Sequence, residues 1–277
     1  MWRLHAIFFF PLIACSGDLP PEDIVDKLRL LAVRADPPEV MPSQPSHLDT
    51  LTVFPPDTNP TISYLWLACQ DQPGTASPTA CDVTSMIGAN SSETYSPPPG
   101  ALGTDVIITV IVADESAGGA TNCAIGASEN GGAPTNPDHC IIALKRLTVS
   151  QSPTPNHNPT LESFTLASAP LPDGARFPVG GGASQLATAR SPDSAEPKQD
   201  GTYEQLYISW YATSGVLQDS RTSFYPSDCD PSCMKTPPPL TASTQWTPPN
   251  SASEVTFWAV IRDDRGGIAW LSGQATP

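Results

Sequence analysis

The chain has 277 residues, of which 33 are Pro and 19 are Gly, while charged residues make up only 15%. This composition excludes a coiled coil, a helical bundle and a polytopic membrane protein, and it favours a turn-rich chain of β-strands with long polar loops. The formal net charge is −15. Phosphate backbones repel a chain with this charge, so we expect no nucleic acid partner.

The first fifteen residues are typical of a sorting signal. Nine apolar residues, 6–14, would span about 14 Å as a helix, half of a hydrocarbon core, so residues 1–14 predict a signal peptide. The segment ends in Leu12-Ile13-Ala14-Cys15, which resembles the bacterial lipobox. The resemblance implies that Cys15 is lipidated. An Asp directly after the lipidated Cys would resemble an inner-membrane retention signal, and this chain has Ser16 there, which implies the outer membrane or cell surface. The alternative is an ordinary secretory peptide with an incidental Cys.

Strand-like runs follow a short polar segment. We expect residues 15–26 to comprise the lipidated Cys and a tether, and residues 27–150 to form a first domain. The runs in that domain are 28–33, 48–54, 62–69, 106–113 and 140–149. The strongest is 106–113, because it is rich in β-branched residues. A Gly- and Asn-rich stretch, 114–139, predicts a loop.

A second set of runs begins after a polar, Pro-containing stretch. We expect a linker at residues 151–159 and a second domain at residues 160–277. The runs in that domain are 161–166, 206–212, 255–262 and 268–275. Between the last two, Asp263-Asp264-Arg265-Gly266-Gly267 predicts a hairpin turn, because Gly accommodates positive φ.

The two halves repeat one pattern. Ile62-x-Tyr64-x-Trp66-x-Ala68 aligns with Leu206-x-Ile208-x-Trp210-x-Ala212, and 106–114 aligns with 255–263. The pattern resembles the immunoglobulin-like (Ig-like) β-sandwich, with Trp on strand C and the last hairpin as strands F and G. The expected fold is therefore all-β, two tandem Ig-like antiparallel β-sandwiches after a lipoprotein signal peptide and short tether. The C-terminal segment VIRDDRGGIAW also resembles C-terminal segments of uncharacterised lipoproteins from myxobacterial and related genomes. This resemblance implies a cellular location and a fold, but no activity.

The cysteines support export. Apart from Cys15, they form three sequence-local pairs: Cys69 with Cys81, Cys123 with Cys140, and Cys229 with Cys233. Locality favours disulfides within these pairs, which an exported chain can keep. The Ig-like topology implies that strand C carries Cys69 away from the F–G end, so pairing of Cys69 with Cys123 or Cys140 is excluded. The alternative for Cys229 and Cys233 is half of a zinc site, which no second pair or nearby His completes.

Few residues indicate chemistry. The sequence contains no H-E-x-x-H, G-x-S-x-G or P-loop motif, and we predict no catalysis, no metal and no cofactor. Calcium held by Asp114-Glu115 and Asp263-Asp264 is the alternative to ordinary turn chemistry at these acidic pairs.

One outer face is a candidate binding surface. If Trp210 points inward, strand alternation turns Tyr207 and Tyr211 outward, and Trp258 of the neighbouring strand also faces out. Exposed aromatic side chains bind sugar rings or protein partners. The alternative is that loops, or the first domain, cover them.

These observations predict a non-catalytic envelope lipoprotein. Its two Ig-like domains would serve binding, adhesion or scaffolding. The N-terminal lipid would hold the protein at the membrane, and the domains would bind an envelope protein or a glycan. One alternative is a carbohydrate-binding or accessory subunit of an envelope or secretion assembly. A further alternative is a hydrolase that uses loop carboxylates.

Overall fold

The computed structural model describes residues 22–70, 86–103, 105–130, 136, 138–251 and 253–277. The predicted signal peptide, Cys15 and Cys81 lie outside these residues. The first half contains β1 (Arg29–Asp36), β2 (Glu39–Val40), β3 (Ser46–Val53), β4 (Ile62–Gln70), β5 (Met86–Gly88), β6 (Ser92–Tyr95), β7 (Asp105–Asp114), α1 (Gly119–Glu129) and β8 (Cys140–Val149). The second half contains β9 (Leu161–Leu166), β10 (Ala169–Pro170), β11 (Ala175–Arg176), β12 (Ser184–Arg190), β13 (Tyr207–Ala212), β14 (Val216–Leu217), β15 (Arg221–Ser223), β16 (Thr241–Thr247), β17 (Val255–Arg262) and β18 (Ile268–Thr276). Short 3₁₀ turns lie at Pro99–Ala101, Glu115–Ala117, Pro192–Ser194 and Cys233–Lys235.

Each half is a β-sandwich of two facing sheets. In the first half, sheet β1-β3-β6 faces sheet β2-β8-β7-β4-β5, and in the second, sheet β10-β9-β12-β16-β14 faces sheet β11-β18-β17-β13-β15. Neighbouring strands are antiparallel except β2 with β8 and β11 with β18. This strand order is Ig-like, with β4 and β13 as strands C, β7 and β17 as strands F, and β8 and β18 as strands G. The predicted all-β, Ig-like fold class is confirmed.

A buried Trp on strand C stands at the centre of each core. Trp66 and Trp210 expose no surface. Their indole N–H groups donate to the carbonyl oxygen of Asn90 at 2.8 Å and to the hydroxyl oxygen of Thr222 at 2.9 Å. Because each buried N–H has an acceptor, the large rings are buried without leaving an unpaired polar group. Both Trp side chains are thus core residues, as the resemblance to the Ig-like sandwich implies.

The stretch 114–139, predicted as a loop, contains helix α1. Small residues of the helix pack on the outer face of β4 and β7, against Leu67 and Ile111. The Cys123–Cys140 disulfide ties the helix to the first residue of β8. Strand β7 is apolar on both faces, so its outer face needs a cover. That two-sided apolar pattern is the signal from which the helix could have been inferred.

Two of the three predicted disulfides lie within the described residues, Cys123–Cys140 and Cys229–Cys233. Cys69 is also disulfide-bonded, and its pairing with Cys81 stays a prediction. Cys69 lies opposite Ile107 of β7, whereas Cys140 lies opposite Ala113. Six strand residues separate these positions by about 20 Å, so a Cys69–Cys140 bond is excluded as expected.

The end of the predicted tether is packed rather than loose. Val25 is buried, and its N–H donates to the carbonyl oxygen of Ala212 at 2.8 Å. The N–H of Ala212 donates in turn to the backbone carbonyl oxygen of Asp23 at 3.0 Å, and Ile24 forms a parallel bridge with Ala212. Residues 23–25 therefore lie beside β13 of the second sandwich, because Val25 finds apolar contacts there.

Candidate functional site

The predicted surface of Tyr207, Tyr211 and Trp258 lies between the two sandwiches. Tyr211 is directly opposite Trp258 in the sheet, and both point away from the core around Trp210, as predicted. However, Trp258 is only 8% exposed. Its cluster comprises Val25, Leu31, Ala32, Val53, Trp258 and Val260, with Leu51, Tyr211, Ile268 and Trp270 partly buried. The prediction of an exposed aromatic patch is therefore wrong for Trp258, because the first sandwich covers this apolar face.

A groove remains at the border of the covered face. It has a volume of about 480 Å³ and runs between residues 22–31 and strand β13. On the side of the second sandwich it is lined by Ser209, Tyr211, Ser220 and Arg221. The accessible part of the predicted aromatic surface thus belongs to a polar groove rather than to an open patch.

Two arginines lie on the outer face beside this groove. The guanidinium carbon of Arg221 lies 3.7 Å from the ring centroid of Tyr207. Arg262 donates to the hydroxyl oxygen of Ser209 at 3.0 Å and to the carbonyl oxygen of Leu31 at 2.6 Å. Among the described residues, neither guanidinium pairs with a carboxylate. Sequence reasoning missed both residues, although the alternation that turned Trp258 outward also predicts an outward Arg262.

A cluster around Arg265 joins the two sandwiches. Arg265, in the turn between β17 and β18, donates to the carboxylates of Glu39 at 2.9 Å, Glu196 at 3.3 Å and Glu204 at 3.2 Å. Glu39 belongs to β2, so this ion pair crosses between the halves. Burial raises the pKa of Glu204 to about 7, although the N–H of Glu196 bonds its carboxylate and opposes that shift. These charged groups satisfy one another and hold the turn in place.

The linker is bound to both sandwiches. The side-chain amide of Asn156 lies 3.3 Å from a carboxylate oxygen of Asp263. Asn158 donates from Nδ2 to the carbonyl oxygen of Ala35 at 2.8 Å and accepts at Oδ1 from the N–H of Ile268 at 2.9 Å. Residues 151–159 thus bridge β1 and β18 through hydrogen bonds. The two sandwiches are held in one arrangement instead of being flexibly linked.

A buried lysine completes this junction. Lys145 of β8 is buried, and its ammonium group donates to the carbonyl oxygen of Gly266 in the β17–β18 turn. Burial lowers the pKa of Lys145 to about 8, while the charge of Asp263 opposes the shift. The first sandwich therefore holds the hairpin turn of the second through both Glu39 and Lys145.

The first Asp of each acidic pair after strand F accepts hydrogen bonds from backbone N–H groups of the turn that follows. Asp263 accepts at Oδ1 from the N–H groups of Arg265 at 2.9 Å and Gly267 at 2.6 Å. Asp114 accepts from the N–H of Ser116 at 2.9 Å, which is the same bond to the residue two positions on. The matching geometry supports the internal duplication. At both pairs the first Asp therefore makes the backbone hydrogen bonds of an ordinary turn.

Within the described ranges, no three His, Cys, Asp or Glu side chains are grouped so that they could hold a metal ion. The same part of the chain has no helix that is both long and apolar enough to cross a membrane.

Comparisons with known proteins give no family. No protein-family model matches the chain, and no curated protein matches it. Among solved structures, the D0–D1 domain of intimin has 9% identity and a TM-score of 0.25, covering 90% of this chain and 99% of that one. Extracellular domains 3–5 of Drosophila OTK have 10% identity and a TM-score of 0.24, covering 93% and 65%. The Yersinia pseudotuberculosis adhesin InvE has 14% identity and a TM-score of 0.21, covering 90% and 60%. At these TM-scores, the matches carry no conclusion about function.

Proposed function

We propose that the chain is a non-catalytic binding or scaffolding module of the bacterial envelope, anchored in the outer membrane by a lipid on Cys15. The disulfides Cys123–Cys140 and Cys229–Cys233 support export, because such bonds persist in oxidising compartments. The lipobox-like sequence supports the lipid, and two acyl chains or more make anchoring stable.

The observation that carries this proposal is the rigid joining of the two sandwiches. Trp258 is covered by the first sandwich, Arg265 binds Glu39 across the junction, and Asn158 bonds to both halves. The buried charged groups thus serve to fix one sandwich on the other, which suits a scaffold better than a catalytic centre. A fixed junction also keeps the groove beside β13 in one shape, so a partner meets a preorganised surface.

The membrane anchor is tested by metabolic labelling with a clickable fatty acid. We expect wild-type chain to take up the label and to sediment with membranes. The Cys15→Ser chain should lose the label and either stay soluble or remain unprocessed. Absence of label on the wild-type chain would contradict the lipid anchor, whatever the variant does.

The binding role is tested by a pull-down from isolated envelopes with the soluble chain 16–277, which includes all described residues. We expect specific retention of an envelope protein or glycan. Arg265→Met, which releases the junction, serves as the variant, and Arg146→Gln serves as its control because that side chain is exposed and pairs with Asp105 of the neighbouring strand at 2.5 Å. If bare resin retained the same envelope proteins and glycans as resin that carries the chain, the proposal would be contradicted.

A further inference from the structure

The groove between residues 22–31 and β13 has a chemistry that points to one class of ligand. We propose that it binds a short saccharide that carries a carboxylate, with Arg221 as the group that receives the carboxylate. This inference rests on the proposed function of a binding module and specifies the ligand at its candidate site.

Three cationic side chains line the groove, those of Lys27, Arg29 and Arg221. The chain has 28 acidic and 13 basic residues, so carboxylate partners for a cationic side chain are plentiful. Elsewhere at the groove, Lys27 pairs with Asp138 at 2.5 Å and Arg29 pairs with Asp26 at 3.0 Å. Arg221, by contrast, makes no ion pair within the described part of the chain.

Arg221 is held in position by contacts of its side chain and its backbone. Its guanidinium lies on the ring of Tyr207 at 3.7 Å, and its backbone lies opposite Ser209 in the β13–β15 ladder. Stacking occupies one face of the guanidinium and leaves the N–H groups in its plane free for a carboxylate, which they bind in a two-point fashion. Because the side chain is already positioned, less rotamer entropy is lost on binding.

The polar groups around Arg221 favour a saccharide over other ligands that carry a carboxylate. The hydroxyl groups of Ser209, Ser220 and Tyr211 line the same wall as Arg221. Glu22 and Asp23 also line the groove and supply acceptors for sugar hydroxyl groups. Their negative charges disfavour a polyanion such as a phosphorylated ligand. The volume of about 480 Å³ lies within the range of small-ligand sites and is too small for a folded partner.

The test is calorimetric titration of the soluble chain 16–277 with a galacturonate trimer and with the neutral galactose trimer of the same linkage. We expect the acidic trimer to bind about tenfold more tightly or better, with affinity that falls as salt rises. Arg221→Gln should weaken binding of the acidic trimer by about tenfold or more and should leave the neutral trimer nearly unchanged. Arg146→Gln, at an exposed arginine away from the groove, should bind like the wild type. Thermal unfolding of each variant establishes that the fold is kept.

The inference is overturned by equal affinity for the two trimers, by an Arg221→Gln variant with wild-type affinity, or by no heat of binding at millimolar ligand. Tighter binding of an acidic peptide than of the acidic trimer would also overturn it. If Arg221→Gln retains the same partners as wild type in the envelope pull-down, the module binds elsewhere. In that case this inference fails while the proposed function stands.

Discussion

Replacement of Trp258 by Ala tests whether the two sandwiches form one cooperative unit. The side chain is 8% exposed, and the groups around it come from both halves, including Leu31 and Val53 of the first. Truncation of a buried Trp costs about 3–5 kcal/mol, from lost apolar burial plus the cavity that remains. Because Trp258 points away from the core of its own sandwich, most of that loss should fall on the contact between the halves.

Differential scanning calorimetry and guanidinium unfolding followed by circular dichroism measure this effect. We expect one unfolding transition for the wild type, and for Trp258→Ala a midpoint shift together with a separation into two transitions. Val216→Ala is the control, because Val216 is 66% exposed and its truncation should change stability by less than about 0.5 kcal/mol. Two independent transitions in the wild type, or a loss below about 1 kcal/mol in Trp258→Ala, would refute the inference that this face joins the sandwiches.

Three further predictions concern the buried acid, the cores and the cysteines. Burial raises the pKa of Glu204 from 4.5 to about 7, so its contribution to stability is present below the lower value and lost as pH rises through the higher one. Glu204→Gln should therefore match wild type near pH 4 and exceed its melting temperature at pH 8. A difference in melting temperature that stays constant between these pH values would contradict this. Trp66→Ala and Trp210→Ala should each cost about 3–5 kcal/mol in guanidinium unfolding, and a cost below about 1 kcal/mol would show that neither ring supports its core. Non-reducing peptide mapping should recover Cys69 joined to Cys81, whereas Cys69 joined to Cys140 would contradict both the pairing and the strand register.

The sequence predicts those strands whose inward-facing residues are strongly apolar. β9, β17 and the Trp-bearing β4 and β13 were all readable from their apolar runs and alternation. β12 and β16 were not predicted, because polar residues occupy some of their inward positions, Thr188 and Arg190 in β12 and Thr244 in β16. In β16, the buried residues are Ala242, Thr244 and Trp246 between exposed polar neighbours. The period of two is present there, but its contrast in hydrophobicity is low.

Cover of this face by the first domain was one of the two sequence-based alternatives, but the residues of β1 that form the contact could not be predicted, because they depend on a local irregularity. The pairing of β1 with β3 shifts register between Leu30 and Ala32. Leu31 and Ala32 consequently both join the cluster between the sandwiches, while Leu30 and Val33 contact the core of the first. Simple alternation assigns neighbouring residues to opposite faces and cannot place two of them on one side.

The duplication explains why the same outer face has two different covers. By the internal alignment, Leu67 corresponds to Tyr211 and Ile111 corresponds to Val260, so each copy presents apolar residues outside its C and F strands. In the first copy, helix α1 covers this face and is held by a disulfide to the start of strand G. In the second copy, the turn after strand F has only the short Asp263–Gly267 hairpin and no chain long enough to form such a helix. The first sandwich takes that role, and the larger aromatic side chains of the second copy suit packing against a whole sheet. The short F–G turn of the second copy provides no helix to cover this face. The second copy therefore buries the face against the first sandwich, and the length of one turn determines how the two sandwiches are arranged.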